Sequence, residues 1–382
     1  MRPVYFDYNA TTPLDPAVRA AMLPFLDEIW GNPSSVHQIG RRARALLDDA
    51  RERVAAVLRA KPSEVVFTSG GTESNNLAIF GSARRLRTKG RHLVTTTIEH
   101  HAVLHCFRQL ESREGFSVTY VPVDSSGIVS VTDVARAIRP DTTLVSVMAA
   151  NNEIGTVQPV AEIGALCRQQ GVLFHTDAVQ AFGKLPFTDI TQFQADLVSL
   201  CAHKFHGPKG AGVLFIRSPL ILDPILFGGA HENERRAGTE NLPAIIGLAA
   251  AAESFLRSPV FPPERMTELT TRLRLLAESI PGVTIRGSQS NKLPNTLALS
   301  VSGCDSIVLM AGLDMAGICA SSGSACSAGS LEPSHVLLAL GVCPAEANSL
   351  VRFSLGREST AAEVAVVEEQ LPGIIARIRG GN

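Results

Sequence analysis

The chain has 382 residues, 45% of them hydrophobic, enough for large cores and more than one ordinary domain needs. A net charge of −1 argues against nucleic acid or an anionic membrane surface as a partner. Seven cysteines, an odd count at irregular spacing, make no disulfide framework and point to a reducing cytoplasm.

In chain order, Asp7 arrives before any apolar signal-peptide core can form, which excludes a secretory signal of ordinary design. Arg41–Leu58 has the spacing of an amphipathic helix, as does Val160–Gln170. Strand-like runs alternate with helix-like ones: Val65–Thr68, His92–Thr96, Thr119–Val123, Thr143–Met148, Val172–His175, Asp196–Leu200 and Gly212–Ile216. Such alternation predicts an α/β domain with a mostly parallel sheet. Ala244–Leu256 is apolar but too short to span a bilayer, and it contains Glu253. A break in composition from Ser258 to Pro263 predicts a boundary, followed by a strand at Leu297–Val301 and a last helix at Glu363–Ile378. The expected division is a large domain over 13–257 and a small domain made of 1–12 and 258–382.

Chemistry concentrates where the strand-like runs end. Lys204 follows the run ending at Leu200 and precedes a Gly/Pro turn. Burial there makes an ammonium easier to deprotonate, so Lys204 suits Schiff-base chemistry with a cofactor aldehyde, and pyridoxal phosphate is the obvious one. Asp177 follows another strand and can keep a pyridine nitrogen protonated. Gly70, Gly71 and Thr72 form a turn before a helix-like stretch that starts at Glu73, and the N–H groups of that turn, with the Thr72 hydroxyl, suit a phosphate. The absence of a following GKS or GKT excludes a P-loop, and Thr72 as a plain helix cap is the alternative.

His100 is delivered by a strand to a loop, where an imidazole can stack on a flat ring and pass protons. His101 with His105 is conceivable as a zinc pair, but no HExxH pattern accompanies it; Cys201, His203 and His206 also look ligand-like, although the lysine and turn beside them suit a Schiff base better. Cys326 lies among small polar residues from Ser321 to Ser330, the setting of an exposed thiol nucleophile rather than a structural cysteine.

These segments, together with Asp7–Pro13, Gly31–His37, Asn151–Gly155, Arg236–Asn241 and Val351–Arg357, resemble the cysteine desulfurases of the class V aminotransferase family, nearly end to end. The resemblance implies the aspartate-aminotransferase-like fold of pyridoxal-phosphate enzymes (fold type I), a homodimer, and L-cysteine as substrate, converted to L-alanine. It implies Lys204 as the cofactor lysine, Asp177 at the pyridine nitrogen, Gln180 at the ring oxygen and His100 over the ring. Gly71, Thr72, His203 and the position of Cys201 hold the phosphate, with Thr239 reaching it from the other subunit. Asn152 and Arg352 grip the substrate carboxylate, and Cys326 takes the sulfur as a persulfide, with a transient role as an iron–sulfur ligand open to it. A sulfur-acceptor protein such as an iron–sulfur scaffold then follows as a partner.

Two departures stand out. Cys201 occupies a position usually held by serine, and Asn233 with Glu234 replaces what are commonly a basic residue and a glycine. A selenocysteine lyase, another class V enzyme, and a sulfur carrier that keeps the fold without turnover are the alternatives; the Cys326 segment separates the first reading from an ordinary aminotransferase.

Overall fold

A computed structural model describes residues 3–257, 260–323 and 332–380. In chain order the strands are β1 (Val4–Tyr5), β2 (Val65–Thr68), β3 (His92–Thr96), β4 (Ser117–Val121), β5 (Thr142–Ser146), β6 (Leu173–Asp177), β7 (Leu197–Cys201), β8 (Gly212–Ile216), β9 (Val283–Arg286), β10 (Thr296–Val301), β11 (Ile318–Cys319) and β12 (Leu350–Ser354). Seven of them form one sheet in the order β2-β8-β7-β6-β5-β3-β4. The run from β7 to β4 is parallel, while β8 is antiparallel to both neighbours. Strands β2, β3, β5, β7 and β8 are buried along their whole length, as a parallel sheet covered by helices on both faces requires.

Because β2 runs in the same direction as β3, β5, β6 and β7, the C-terminal ends of all five share one edge of the sheet. Open α/β sheets bind ligands at that edge. The helix Gln38–Leu58 shows how the flanking layer is specified. His37 caps it by accepting the Gly40 N–H at 3.2 Å. Its buried residues Ala43, Leu47, Ala50, Val54 and Leu58 recur every three or four positions and lie on one face, which packs on the helix Leu242–Arg257. Burying a leucine such as Leu47 contributes roughly 1.5–3 kcal/mol.

After Val260 the chain builds an antiparallel sheet, β12-β10-β9, against which the helices Pro263–Ser279 and Ser306–Met315 pack; the latter also contacts the helix Ala361–Gly380. The N-terminal segment joins this part rather than the large sheet. Strand β1 pairs in parallel with β11, and the Tyr8 N–H donates to the Ser354 carbonyl at 3.0 Å. The two sheets therefore meet across residues 7–12. Among the described residues no helix is long and apolar enough to cross a membrane.

Candidate active site

The shared strand edge opens on one pocket, lined by Gly71, Thr72, His100, Asn152, Asp177, Gln180, Cys201, His203, Lys204 and Arg352. Every site residue expected from the sequence is present there except Thr239 and Cys326. Thr239 lies in a neighbouring hollow with Thr68, Ser69 and Arg236. Cys326 falls outside the described residues.

Lys204 ends a short 3-10 turn directly after β7. Its Nζ donates to the carbonyls of Asn9 and Ala10, both at 2.8 Å. Burial, and then the Arg352 guanidinium, pull this ammonium below the ordinary lysine value, against the opposing pull of Cys201 and Asp177. Asp177 closes β6 and is buried; its Oδ2 accepts from Asn75 Nδ2 at 2.6 Å and its Oδ1 from the Val179 N–H at 3.0 Å. Burial pushes its carboxyl upward, and these two bonds and Lys204 oppose that shift.

His100 caps the helix His101–Glu114. The Ala102 N–H donates to His100 Nδ1 at 3.1 Å, so the neutral ring carries its proton on Nε2. Burial, followed by the nearby Lys204 charge, lowers its pKa to about 4, and the ring is neutral at pH 7. His203 is likewise lowered to about 4, chiefly by burial, and its Nδ1 pairs with Thr11 Oγ1 at 3.1 Å.

At the opposite side sits Arg352, 1% exposed. Nη2 donates to Asp7 Oδ1 at 2.6 Å and Nη1 to the Asn152 carbonyl at 2.8 Å. Its buried Nε has no partner among the described residues. With two of its five N–H groups used, a fork remains for a carboxylate.

Three residues of this constellation escape pattern reading. Asn75 stands one helical turn beyond Gly71, and that i, i+4 spacing is the one signal that puts it on the pocket face. Asn9 is the hub: its carbonyl accepts from both Lys204 and Gln180 Nε2, and its side chain joins Thr296 and Lys184. Lys184 carries no motif at all. The helix after Gly70 begins at Gly71, two residues before the expected start, which places the Gly71 and Thr72 N–H groups at its first turn. A Cβ on Gly71 would come within 2.8 Å of Val179 Cγ2, so only glycine keeps this wall open.

The His101 and His105 rings stack at 5.0 Å, and His335 lies 4.7 Å from His101. Among the described residues no group of His, Cys, Asp and Glu has the arrangement to hold a metal.

The donor set fits pyridoxal phosphate. A buried lysine of lowered pKa, a buried carboxylate, an amide, a helix N-terminus and an arginine with a spare fork converge on one cleft. The fold and this site define a pyridoxal-phosphate enzyme of the aminotransferase type. The family description "Aminotransferase class-V" matches residues 4–367. Cysteine desulfurase IscS of Dictyoglomus turgidum is 45% identical over 379 residues, covering 99% of this chain and 96% of that protein. A solved structure titled "NIFS-LIKE PROTEIN" is 38% identical with a TM-score of 0.91, covering 98% of this chain and all of the other. Another, titled "SspA in complex with cysteine", is 38% identical with a TM-score of 0.81, over 93% of this chain and 99% of the other. The chain belongs to the class V aminotransferase family, among its cysteine desulfurases.

Proposed function

We propose that this chain converts L-cysteine to L-alanine with pyridoxal phosphate and carries the released sulfur as a persulfide on Cys326. The observation that carries the reading is the single pocket that joins Lys204, Asp177, Gln180, His100, Asn152 and Arg352. Lys204 is the amine that holds the cofactor aldehyde and then takes and returns the substrate Cα proton. Asp177 accepts from the pyridine nitrogen, Gln180 faces the ring oxygen, and Gly71, Thr72, Cys201 and His203 surround the phosphate. Arg352 and Asn152 orient the substrate carboxylate, and His100 covers the ring. Bound there, the cofactor supplies an electron sink for the charge that develops at Cα.

The sulfur step balances without an external oxidant. The Cys326 thiolate attacks the substrate sulfur, a C–S bond breaks, an S–S bond forms, and the substrate carbon gains a proton to leave as alanine. An acceptor protein, of the iron–sulfur scaffold kind, collects the persulfide sulfur. The molecule divides into residues 13–257, which carry the pocket floor, and residues 1–12 with 258–382, which close it, and it works in the cytoplasm. Incubation with L-cysteine tests the chemistry: Lys204→Ala should lose the borohydride-fixed cofactor, and Cys326→Ala should keep the cofactor yet release almost no sulfide. Wild-type sulfide from Cys326→Ala overturns the reading.

A homodimer completes each site, supported by the position of Thr239 outside its own pocket and by exposed Trp30, Val36 and Phe227. Thr239→Ala should speed cofactor loss in a chain that sediments as a dimer. A fully active monomer contradicts this arrangement.

A further inference from the structure

Behind the pocket lies a second lysine that the reaction above does not use. Lys184 is 1% exposed, and its Nζ donates to Asn9 Oδ1 at 2.6 Å and to Gln180 Oε1 in a very short contact. It also lies 5.4 Å from the centre of the Phe261 ring. Its hydrogen-bond partners among the described residues are neutral amides. The charged groups that face it are Lys204, Arg352 and Asp7, and burial followed by the first two pushes its ammonium well below the ordinary lysine value. A lysine so placed is costly to desolvate, and an apolar side chain of equal length would fill the space at lower cost.

The lysine and the Asn9 carbonyl together decide which way an amide points. Gln180 gives one N–H of Nε2 to the Asn9 carbonyl at 2.9 Å, and its Oε1 receives Lys184. Turned over, Gln180 would set its Oε1 against the Asn9 carbonyl oxygen and its NH₂ against the Lys184 donors. Both contacts would be repulsive. In the observed orientation one N–H of Nε2 remains for the pocket that Gln180 lines. The same Asn9 carbonyl also takes Lys204 Nζ, so one polar network aligns the lysine and the amide together.

We propose that Lys184 is a positioning residue that locks the Gln180 amide with its NH₂ group toward the pocket, so that the cofactor's ring oxygen meets a hydrogen-bond donor and never the amide carbonyl. The inference rests on the pyridoxal-phosphate reading given above. A donor at that oxygen stabilises its anion and therefore the form of the bound cofactor that has lost a proton. Losing the donor raises the pH midpoint of the cofactor's visible absorbance.

The test is a spectral pH titration of the purified holoenzyme without substrate. Lys184→Met should raise the midpoint by about one pH unit, the size of one lost hydrogen bond to a charged oxygen. Gln180→Ala should do the same. Since Lys184 acts through Gln180, the double variant should match Gln180→Ala alone rather than add to it. Lys184→Gln, which keeps a donor, should stay near the wild-type midpoint, and it carries the comparison if Lys184→Met does not fold. A folded Lys184→Met with an unmoved midpoint overturns the proposal, as does an additive double variant or a Lys184→Gln shift as large as that of Gln180→Ala. Wild-type protein that takes up no pyridoxal phosphate overturns the underlying reading, and this inference with it.

Discussion

Cys201 is where a single atom separates this chain from the serine that the family pattern usually places there. The residue ends β7, is buried, and has its sulfur faced by the Gly71 and His203 N–H groups at the pocket wall. Burial pushes the thiol upward, so it stays protonated and is a weak donor. Cys201→Ser replaces it with a hydroxyl that can bond a dianion. A charge-assisted bond contributes roughly 1.5–3 kcal/mol, so pyridoxal phosphate should dissociate about tenfold more slowly, with turnover at saturating cofactor little changed. Unchanged dissociation together with a lowered thermal midpoint would show a thiol that serves the core instead. At this scale Lys204, Asp177 and His100 were legible because each stands at or just past a strand end. Asn9 and Lys184 were not, because their contacts reach across as many as 345 residues, and no local period encodes such a meeting.

Among elements, legibility followed length. Strands β2, β3 and β8 and the helix Val160–Gln170 match their expected bounds, since each is a continuous run set off by turn residues. Strand β4 runs two residues earlier than expected, at Ser117–Val121, because its register is set by pairing with β3. The two-residue strands β1 and β11 carry no period and exist through each other. The segment His231–Glu234 carries the second departure. Glu232 is fixed by a two-point pair with Arg51 at 2.7 and 2.5 Å and by the Phe67 N–H at 2.9 Å, and residues 232, 233 and 234 all turn left-handed, with φ of 50°, 55° and 64°. Asparagine tolerates that conformation; glutamate does so at a cost of about 1–2 kcal/mol. Glu234→Gly should therefore stabilise the protein by up to about 1 kcal/mol after glycine's own entropy is counted. A chemical-denaturation midpoint that falls in this variant would refute the account.

For the whole molecule, the buried histidines set how stability answers pH. Burial holds His100, His203 and His206 at about 4 and His175 at about 3, against about 6.5 in the unfolded chain. Between those values the unfolded state binds protons that the folded state refuses. Their contribution is thus complete above about pH 6.5 and lost as pH falls toward 4, each histidine giving a slope of up to about 1.4 kcal/mol per pH unit. Glu99, raised to about 8 by burial, and Asp177, pushed upward by burial as well, work in the opposite direction but are two groups against four. The denaturation midpoint should drop steadily from pH 7 to pH 5, and a flat profile would contradict this balance.

The hub at Asn9 also imposes an order of events on synthesis. Residues 4–9, made among the first, find their partners in β11 and β12, made among the last: Val4 pairs with Ile318, Asp7 with Arg352, and the Asn9 N–H with Ser354 Oγ. A chain still on the ribosome before Leu350 can form the large sheet and present Lys204 and Asp177, yet the carbonyls that hold Lys204 Nζ hang from a segment with no strand to dock on. Cofactor capture is in this way tied to release. Ribosome-arrested chains that stop at or short of β12 should hold pyridoxal phosphate poorly, and release of the full chain should restore retention, making the cofactor itself a reporter of completed translation.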